Sequence, residues 1–222
     1  MENPRSFPDN RNYEYAYNQS YKIAVEQLAG ISDYEALCRN SDIRYLATPS
    51  QKLIEVEYLN RKYYIDVEAI AESPLNIITT DEKDAYIPLK EQILILHYIL
   101  NARGTPLSGQ MITFKELPEG MVYFRTFNTR TIKHLVNNFS ENPQSLLEVA
   151  KPLGGVPAGY GDAAVTIKAF PHIPITFVIW KGDAEFPAEG NVLYDSTVTD
   201  YLPTEDIIVL SETVVWKMVK GK

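Results

Sequence analysis

Apolar residues recur at helical spacing in several stretches of the chain. The stretch at 89–102 is apolar nearly all round, which is typical of a helix in the middle of a core. Ser32, with Glu35 three residues later, has the spacing of a capping box and predicts the start of a short helix. The predicted helices, in chain order, lie at 13–29, from Ser32, at 89–102, 129–139, 145–153 and from 203 towards the end of the chain.

Other stretches alternate with a period of two. Segments 53–58 and 63–67 flank Asn60-Arg61 and predict a β-hairpin. A second hairpin is predicted at 164–170 and 175–181, joined by a turn at 171–174, and a short strand at 111–114. Helices and hairpins alternate without a regular βαβ pattern. We therefore expect an α+β fold: a single domain over 12–222 with antiparallel hairpins packed against about five helices, after a polar leader at 1–11 that we expect to be disordered.

Composition and charge remove several classes of protein. The 222 residues are 45% hydrophobic, which excludes a globally disordered chain. A formal charge of −8 makes nucleic acid an unexpected partner. The longest apolar run, 173–180, is far below the roughly 20 residues of a membrane helix, and no targeting signal is visible, so we expect no membrane partner and a cytoplasmic location. Cys38 is the single cysteine and fits a small buried hydrophobe.

Familiar catalytic motifs are missing. The glycine-rich loop at 154–161 leads into Asp162 and a strand, and so fails the patterns of a Walker loop and of a dinucleotide fingerprint. It fits either a structural turn or a backbone nest close to a ligand. His97, His134 and His172 have no metal-site spacing. No catalytic residue is predicted.

Charged side chains offer two weaker signals. Asp183-Ala184-Glu185, with Asp162, offers carboxylates that Mg²⁺ or Ca²⁺ would accept, although turn-forming and helix-capping roles explain most acidic residues of this region. A local basic patch fits either a solvated helix face or a dock for a carboxylate or phosphate near a helix start at Asn128 or Thr129. The patch consists of Arg125, Arg130, Lys133 and His134.

Six separate segments resemble the domain of unknown function 3786 (DUF3786) family. The resemblance runs from about Tyr15 to Lys217. It implies relatives in bacteria and archaea, many of them anaerobes, some joined to a four-cysteine iron–sulfur segment that this chain lacks. It supplies no catalytic residues. The segments are Leu89–Tyr98, Gly104–Gly109, Tyr160–Ala164, Trp180–Pro187, Asp195-Ser196 and Tyr201–Asp206.

We expect residues of these segments to converge on one aromatic and acidic cleft. The leading hypothesis is a non-catalytic ligand-binding or accessory protein, with a corrinoid or haem as a candidate tetrapyrrole ligand that the anaerobic, iron–sulfur-linked family context suggests. One alternative is a metal-dependent hydrolase using Asp162, Asp183 and Glu185; another is a protein-interaction module with a protein partner. The predicted cofactor-binding residues are His97, Tyr98, Thr105, Tyr160, Asp162, Trp180, Asp183, Glu185, Asp195 and Tyr201.

Overall fold

A computed structural model describes residues 11–71, 77–82 and 85–222. The chain divides into two compact units, unit 1 at Met1–Thr105 and unit 2 at Pro106–Lys222, and each is described by itself. The predicted leader lies outside the described residues except for Arg11, which begins the first helix. The expectation of one domain over 12–222 stays a prediction.

The described residues of unit 1 form three α-helices and a four-stranded antiparallel sheet. The sheet has the strand order β1-β2-β3-β4, so each strand pairs with its neighbour in the chain. The apolar helix predicted at 89–102 is present as α3, with α1 packed against it. The elements are α1 (Arg11–Ala29), α2 (Tyr34–Asn40), β1 (Arg44–Thr48), β2 (Gln51–Tyr58), β3 (Arg61–Asp66), β4 (Ile78–Thr80) and α3 (Leu89–Asn101).

The first hairpin is confirmed and the start of α2 is corrected. Leu59 and Asn60 connect β2 to β3 with φ of 50° and 62°, the left-handed values of a two-residue hairpin turn. The N-cap of α2 is Asp33, whose Oδ1 accepts a hydrogen bond from the Ala36 N–H at 2.8 Å. Ser32 is therefore not the cap, because an aspartate one position later makes the same bond.

Unit 2 contains a five-stranded antiparallel sheet and four further helices. The strand order is β5-β9-β8-β7-β6, with the predicted second hairpin, β7–β8, at its centre. The elements are β5 (Met111–Thr113), α4 (Gly120–Phe127), α5 (Lys133–Phe139), α6 (Ser145–Ala150), β6 (Val156–Pro157), β7 (Ala163–Phe170), β8 (Ile173–Trp180), β9 (Glu189–Asp195) and α7 (Thr204–Lys220).

Two elements of unit 2 differ from the sequence prediction. The helix expected at 129–139 begins nine residues earlier, at Gly120, and α4 continues into α5 through a π-helical turn at Asn128–Ile132. There the Lys133 N–H donates to the Asn128 carbonyl five residues earlier, so the turn holds one residue more than an α-helical turn. The extra residue shifts the periodicity of apolar positions from which a helix is predicted. Strand β9 falls in a segment for which the sequence predicts no element, because Gly190 and Asn191 resemble turn residues; the strand forms because β8 pairs with it.

The core of unit 2 surrounds α7, which is buried on nearly all sides. The Tyr194 and Ser211 hydroxyls are hydrogen-bonded at 2.7 Å, and this joins β9 to α7. The rings of Phe114 and Phe127 stack 3.9 Å apart beneath α4. The fold is α+β with antiparallel sheets, as the sequence predicted. Among the described residues, no helix has the length and apolar content needed to span a membrane.

Candidate functional site

The loops at the end of β8 bring several predicted site residues together. Asp162, just before β7, donates its N–H to the Ile179 carbonyl at 2.9 Å, and its Oδ2 accepts from the Lys181 N–H at 2.7 Å. Gly161 has a φ of +57°, and a Cβ there would lie 2.5 Å from the Ile179 carbonyl oxygen. The turn therefore needs glycine, and the Asp162 carboxylate fastens the turn to the loop that follows β8.

The loop after β8 is held by Asp183. Its Oδ1 accepts from the N–H groups of Glu185 and Phe186, both at 2.8 Å, and its own N–H donates to the Phe186 carbonyl. These backbone hydrogen bonds, that from Phe186 foremost, lower the pKa of Asp183. Asp183 thus stays ionised at neutral pH and acts as a turn former. The Glu185 side chain is exposed.

Three aromatic side chains are exposed on these two loops and at the adjoining end of β8. Tyr160 is 43% exposed, Trp180 41% and Phe186 68%. Tyr and Trp are enriched at interfaces because each combines an apolar ring with a polar group, and here the backbone beneath the rings is hydrogen-bonded to β8 or within its own turn. We call this set the loop surface: Tyr160, Asp162, Trp180, Asp183, Glu185 and Phe186.

Asp195 belongs to the opposite end of the sheet. Trp180 pairs with Glu189, whereas Asp195 follows Tyr194, which pairs with Ile175. At about 3.3 Å per residue, that separation along β9 is on the order of 20 Å. The expectation that Asp195 shares a cleft with the loop surface is therefore wrong.

The buried Asp195 carboxylate accepts hydrogen bonds from two segments of unit 2. It is 3% exposed and accepts hydrogen bonds from the N–H and hydroxyl of both Ser108 and Thr197 and from the Gly109 N–H. Burial raises the pKa of Asp195, but the hydrogen bonds from Thr197 and Ser108 more than offset that effect and hold the pKa at about 2. The carboxylate orders the 104–109 loop and has little surface left for a ligand.

The remaining predicted residues have contacts of their own. Tyr201 is fully buried and stacks on His172, with ring centroids 4.8 Å apart. In unit 1, the Tyr98 hydroxyl donates to the Ser41 carbonyl at 2.7 Å, and His97 Nε2 lies 3.4 Å from Ser20 Oγ. Thr105, the last residue of unit 1, is half-buried. The structure thus groups only five predicted residues: Tyr160, Asp162, Trp180, Asp183 and Glu185.

The hydrolase alternative requires carboxylates that are arranged to hold a metal ion. Within residues 11–71, 77–82 and 85–222, no group of three or more His, Cys, Asp or Glu side chains is arranged to hold a metal ion. Asp162 and Asp183 both direct carboxylate oxygens at backbone N–H groups of the loops. That arrangement fixes backbone rather than presenting oxygens to a cation.

A groove in unit 2 was not found from the sequence. Two adjoining clefts of about 310 and 340 Å³ lie between β9 and the helical segment α4–α5, and both are lined by Phe124, Ile132, Glu189 and Gly190. We call them together the β9 groove. The basic patch predicted from the sequence includes one residue of this groove, Lys133. The sequence could not place Gly190 in the groove, because Gly190 belongs to a strand that was not predicted. Its other lining residues are Thr113, Phe114, Lys115, Asn128, Val136, Asn137, Ala188 and Asn191.

The other three residues of the basic patch lie in different environments. Arg130 binds the buried carboxylate of Glu212 on α7, and the ring of His134 contacts that of Trp216 at a centroid distance of 4.7 Å. Arg125 is exposed. No helix starts at Asn128 or Thr129, because the π-helical turn at Asn128–Ile132 joins α4 directly to α5, so the alternative of an anion dock at a helix start there does not hold.

Comparison with known proteins adds a family assignment. Neither the curated proteins nor the solved structures contain a match to this chain. The family described as "Domain of unknown function (DUF3786)" matches residues 33–217, which covers most of unit 1 and nearly all of unit 2. The resemblance seen in the sequence segments is thereby confirmed, and the chain belongs to the DUF3786 family.

Proposed function

We propose that this chain is a non-catalytic binding protein that recognises a flat ligand at the loop surface. The observation that carries the proposal is the exposure of Tyr160, Trp180 and Phe186 at the end of β8 and on two loops whose backbones are fixed by Asp162 and Asp183. Aromatic faces on a preorganised backbone bind planar groups without losing much side-chain entropy. Asp183 is a poor candidate for acid–base chemistry, because its lowered pKa lies further from neutral pH than that of a free aspartate.

The charge of the loop surface narrows the ligand class. Asp162, Asp183 and Glu185 favour a neutral or cationic ligand and disfavour an anionic one. Among tetrapyrroles, a corrinoid with amide side chains fits this charge better than haem, whose two propionates are anionic. None of the three histidines belongs to these loops, so the ligand is held by stacking and by hydrogen bonds to its amides.

Equilibrium dialysis tests this proposal. Hydroxocobalamin and haemin are dialysed separately against the full chain, and the retained ligand is read from its absorption spectrum. We expect saturable retention of hydroxocobalamin, weaker retention of haemin, and at least about a tenfold loss of corrinoid affinity in the double variant Trp180→Ala/Phe186→Ser, which removes two stacking faces.

The matched control carries Tyr15→Ser and Val156→Ser, which remove exposed apolar side chains that are not part of the loop surface. It should retain hydroxocobalamin like the wild type. Retention of no corrinoid, or equal retention by the Trp180→Ala/Phe186→Ser variant, would overturn the proposal. The hydrolase alternative has no supporting cluster among the described residues.

A further inference from the structure

The three aromatic rings of the loop surface are not covered by cations of the protein. Elsewhere in unit 2 a lysine covers a ring, since Lys115 Nζ lies 4.2 Å from the ring centroid of Phe124. Within the part of the chain that the structure describes, no lysine, arginine or second ring contacts the rings of Tyr160, Trp180 and Phe186. These exposed π faces are therefore open to a cation from outside the protein.

Two exposed carboxylates lie beside these rings. Glu189 is directly opposite Trp180 in the pairing of β8 with β9, so the two side chains lie on the same face of the sheet with their Cβ atoms about 5 Å apart. Glu185 immediately precedes Phe186 in the loop after β8. Among residues 11–71, 77–82 and 85–222, neither glutamate side chain has an ion-pair or hydrogen-bond partner, so both charges are available to a ligand.

The local charge around the rings is negative. Segments 160–162 and 180–189 together have a formal charge of −3, which comes from four acidic residues and Lys181. The carboxylates of Asp162 and Asp183 accept hydrogen bonds from backbone N–H groups, whereas those of Glu185 and Glu189 do not. The loop surface therefore attracts a positively charged group and repels an anionic one.

The loop that carries Glu185 and Phe186 is closed at its base. A Cβ at Gly182 would lie 2.6 Å from the backbone nitrogen of Ala188, so the two ends of the loop are in contact. Together with the turn formed by Asp183, this contact fixes the backbone next to the end of β8. The binding groups therefore need little ordering when a ligand arrives.

The residues around the rings also select the kind of cation. Mg²⁺ and Ca²⁺ take about six to eight oxygen ligands, and the described residues contain no group of three or more side chains arranged to hold a metal ion. A primary ammonium or a guanidinium has N–H groups that need acceptors once water is displaced. A quaternary ammonium has no N–H group and is bound by aromatic faces, with the carboxylates supplying the opposite charge.

We propose that the loop surface recognises the quaternary ammonium group of a small cationic molecule. The rings of Tyr160, Trp180 and Phe186 supply the contacts, and Glu185 and Glu189 supply the charge. This inference rests on the proposed function, since it assigns a ligand class to the same surface, but it does not require that the ligand be a corrinoid. A zwitterion such as glycine betaine binds more weakly, because it brings a carboxylate to a negative surface.

Saturation-transfer NMR with the full chain tests the proposal. The probes are choline and 3,3-dimethylbutan-1-ol, which has the shape of choline with carbon in place of the quaternary nitrogen. We expect saturable binding of choline with a Kd on the order of 1 mM, and binding of the alcohol that is weaker by about tenfold. Glycine betaine should also bind more weakly than choline.

Two variants separate the contributions of the ring and of the charges. Trp180→Leu keeps an apolar side chain without a π face, and it should weaken choline binding about threefold to fivefold. Glu185→Gln/Glu189→Gln keeps the side-chain shapes and removes two charges, so it should weaken choline binding about fivefold and leave the binding of the alcohol unchanged.

The charge-matched control is Glu14→Gln/Glu57→Gln, which removes two exposed carboxylates of unit 1 and should bind choline like the wild type. Far-UV circular dichroism confirms that each variant is folded. Equal binding of choline and the alcohol, no saturable binding of choline, or unchanged choline affinity in Glu185→Gln/Glu189→Gln would overturn the proposal.

Dialysis of hydroxocobalamin against the same preparations separates this inference from the proposed function. Choline binding without retention of the corrinoid supports the ammonium site and removes the corrinoid as the ligand. Retention of the corrinoid without choline binding overturns the ammonium site alone.

Discussion

Asp195 illustrates how a buried charge can be wholly structural. Five donors surround its carboxylate, and they come from two separate stretches of chain, one at Ser108-Gly109 and one at Thr197. Each hydrogen bond to a charged group contributes about 1.5–3 kcal/mol, although such contributions are not additive. The residue therefore joins the start of unit 2 to the segment that leads into α7.

Replacing Asp195 with Asn should destabilise the protein strongly. The amide cannot accept all five hydrogen bonds and loses the charge, so we expect the free energy of unfolding to fall by about 2–3 kcal/mol in urea denaturation. Glu148→Gln is the control, because Glu148 forms only an exposed ion pair with Lys151 and should change stability by under about 0.5 kcal/mol. Equal stabilities of the two variants would contradict the structural role.

The same carboxylate predicts a pH dependence. The pKa of Asp195 is about 2 in the folded state and about 3.9 in an unfolded chain. Because the folded value is the lower one, the stabilisation is complete above the unfolded pKa and is lost as the pH falls from about 4 through 2. Wild-type protein should therefore lose more stability over this range than Asp195→Asn, as measured by thermal denaturation at each pH.

Gly161 gives a second prediction for a single residue. An alanine there would combine a φ of +57° with a Cβ 2.5 Å from the Ile179 carbonyl oxygen, so we expect a loss of about 2 kcal/mol or more. Gly159 lies in the same loop with nothing within 4 Å of a Cβ, and Gly159→Ala should be nearly neutral. Chemical denaturation of both variants checks the difference; a neutral Gly161→Ala would show that the turn can relax.

Among the elements, the π-helical turn between α4 and α5 has the largest consequences. It carries Arg130, whose Nη2 and Nε lie 2.5 and 3.2 Å from Oε2 of Glu212, a residue of α7 that is only 5% exposed. The extra residue per turn rotates the following helix relative to the preceding one. That rotation allows one segment to bind α7 through Arg130 and line the β9 groove with Lys133.

Removing Arg130 should therefore be costly. Arg130→Met leaves the buried Glu212 carboxylate without this partner, and we expect a loss of about 3–5 kcal/mol. Arg125→Met, on the same helical segment but exposed, is the control and should change stability by less than about 0.5 kcal/mol. The double variant Arg130→Met/Glu212→Met should regain much of the loss in urea denaturation, because neither charge of this pair is then left without its partner. A small change in stability for Arg130→Met would mean that other groups stabilise the buried Glu212 carboxylate.

At the scale of the whole molecule, the two units permit a direct test of the single-domain prediction. Both tryptophans, Trp180 and Trp216, belong to unit 2, whereas helices and sheets of both units contribute to far-UV circular dichroism. One cooperative domain requires that the two signals change together in guanidinium chloride. We expect coincident transitions; a tryptophan transition displaced from the dichroism transition would show that the units unfold separately.

The sequence by itself determined the elements whose periodicity is uninterrupted. Local patterns predict the helices α1, α3 and α7 and the hairpins β2–β3 and β7–β8. Each element buries one face, and this requires apolar residues at the helical or strand period. Five residues of the loop surface were also predicted as binding residues, because they lie in segments that resemble the DUF3786 family. The predicted tyrosines differ: Tyr98 and Tyr201 were predicted as cofactor-binding residues but are fully buried, whereas Tyr160 is exposed.

Tertiary structure decided what local patterns do not encode. Strand β9 reads as a loop and exists because β8 pairs with it, and the helix at Gly120–Phe139 is obscured by its π turn. Asp162 and Asp195 lie at opposite ends of the sheet because the strands pair antiparallel, and the order of residues in the sequence does not reveal that pairing. The β9 groove likewise depends on where β5 leaves the sheet. These features arise from contacts between residues far apart in the chain, so only the folded arrangement specifies them.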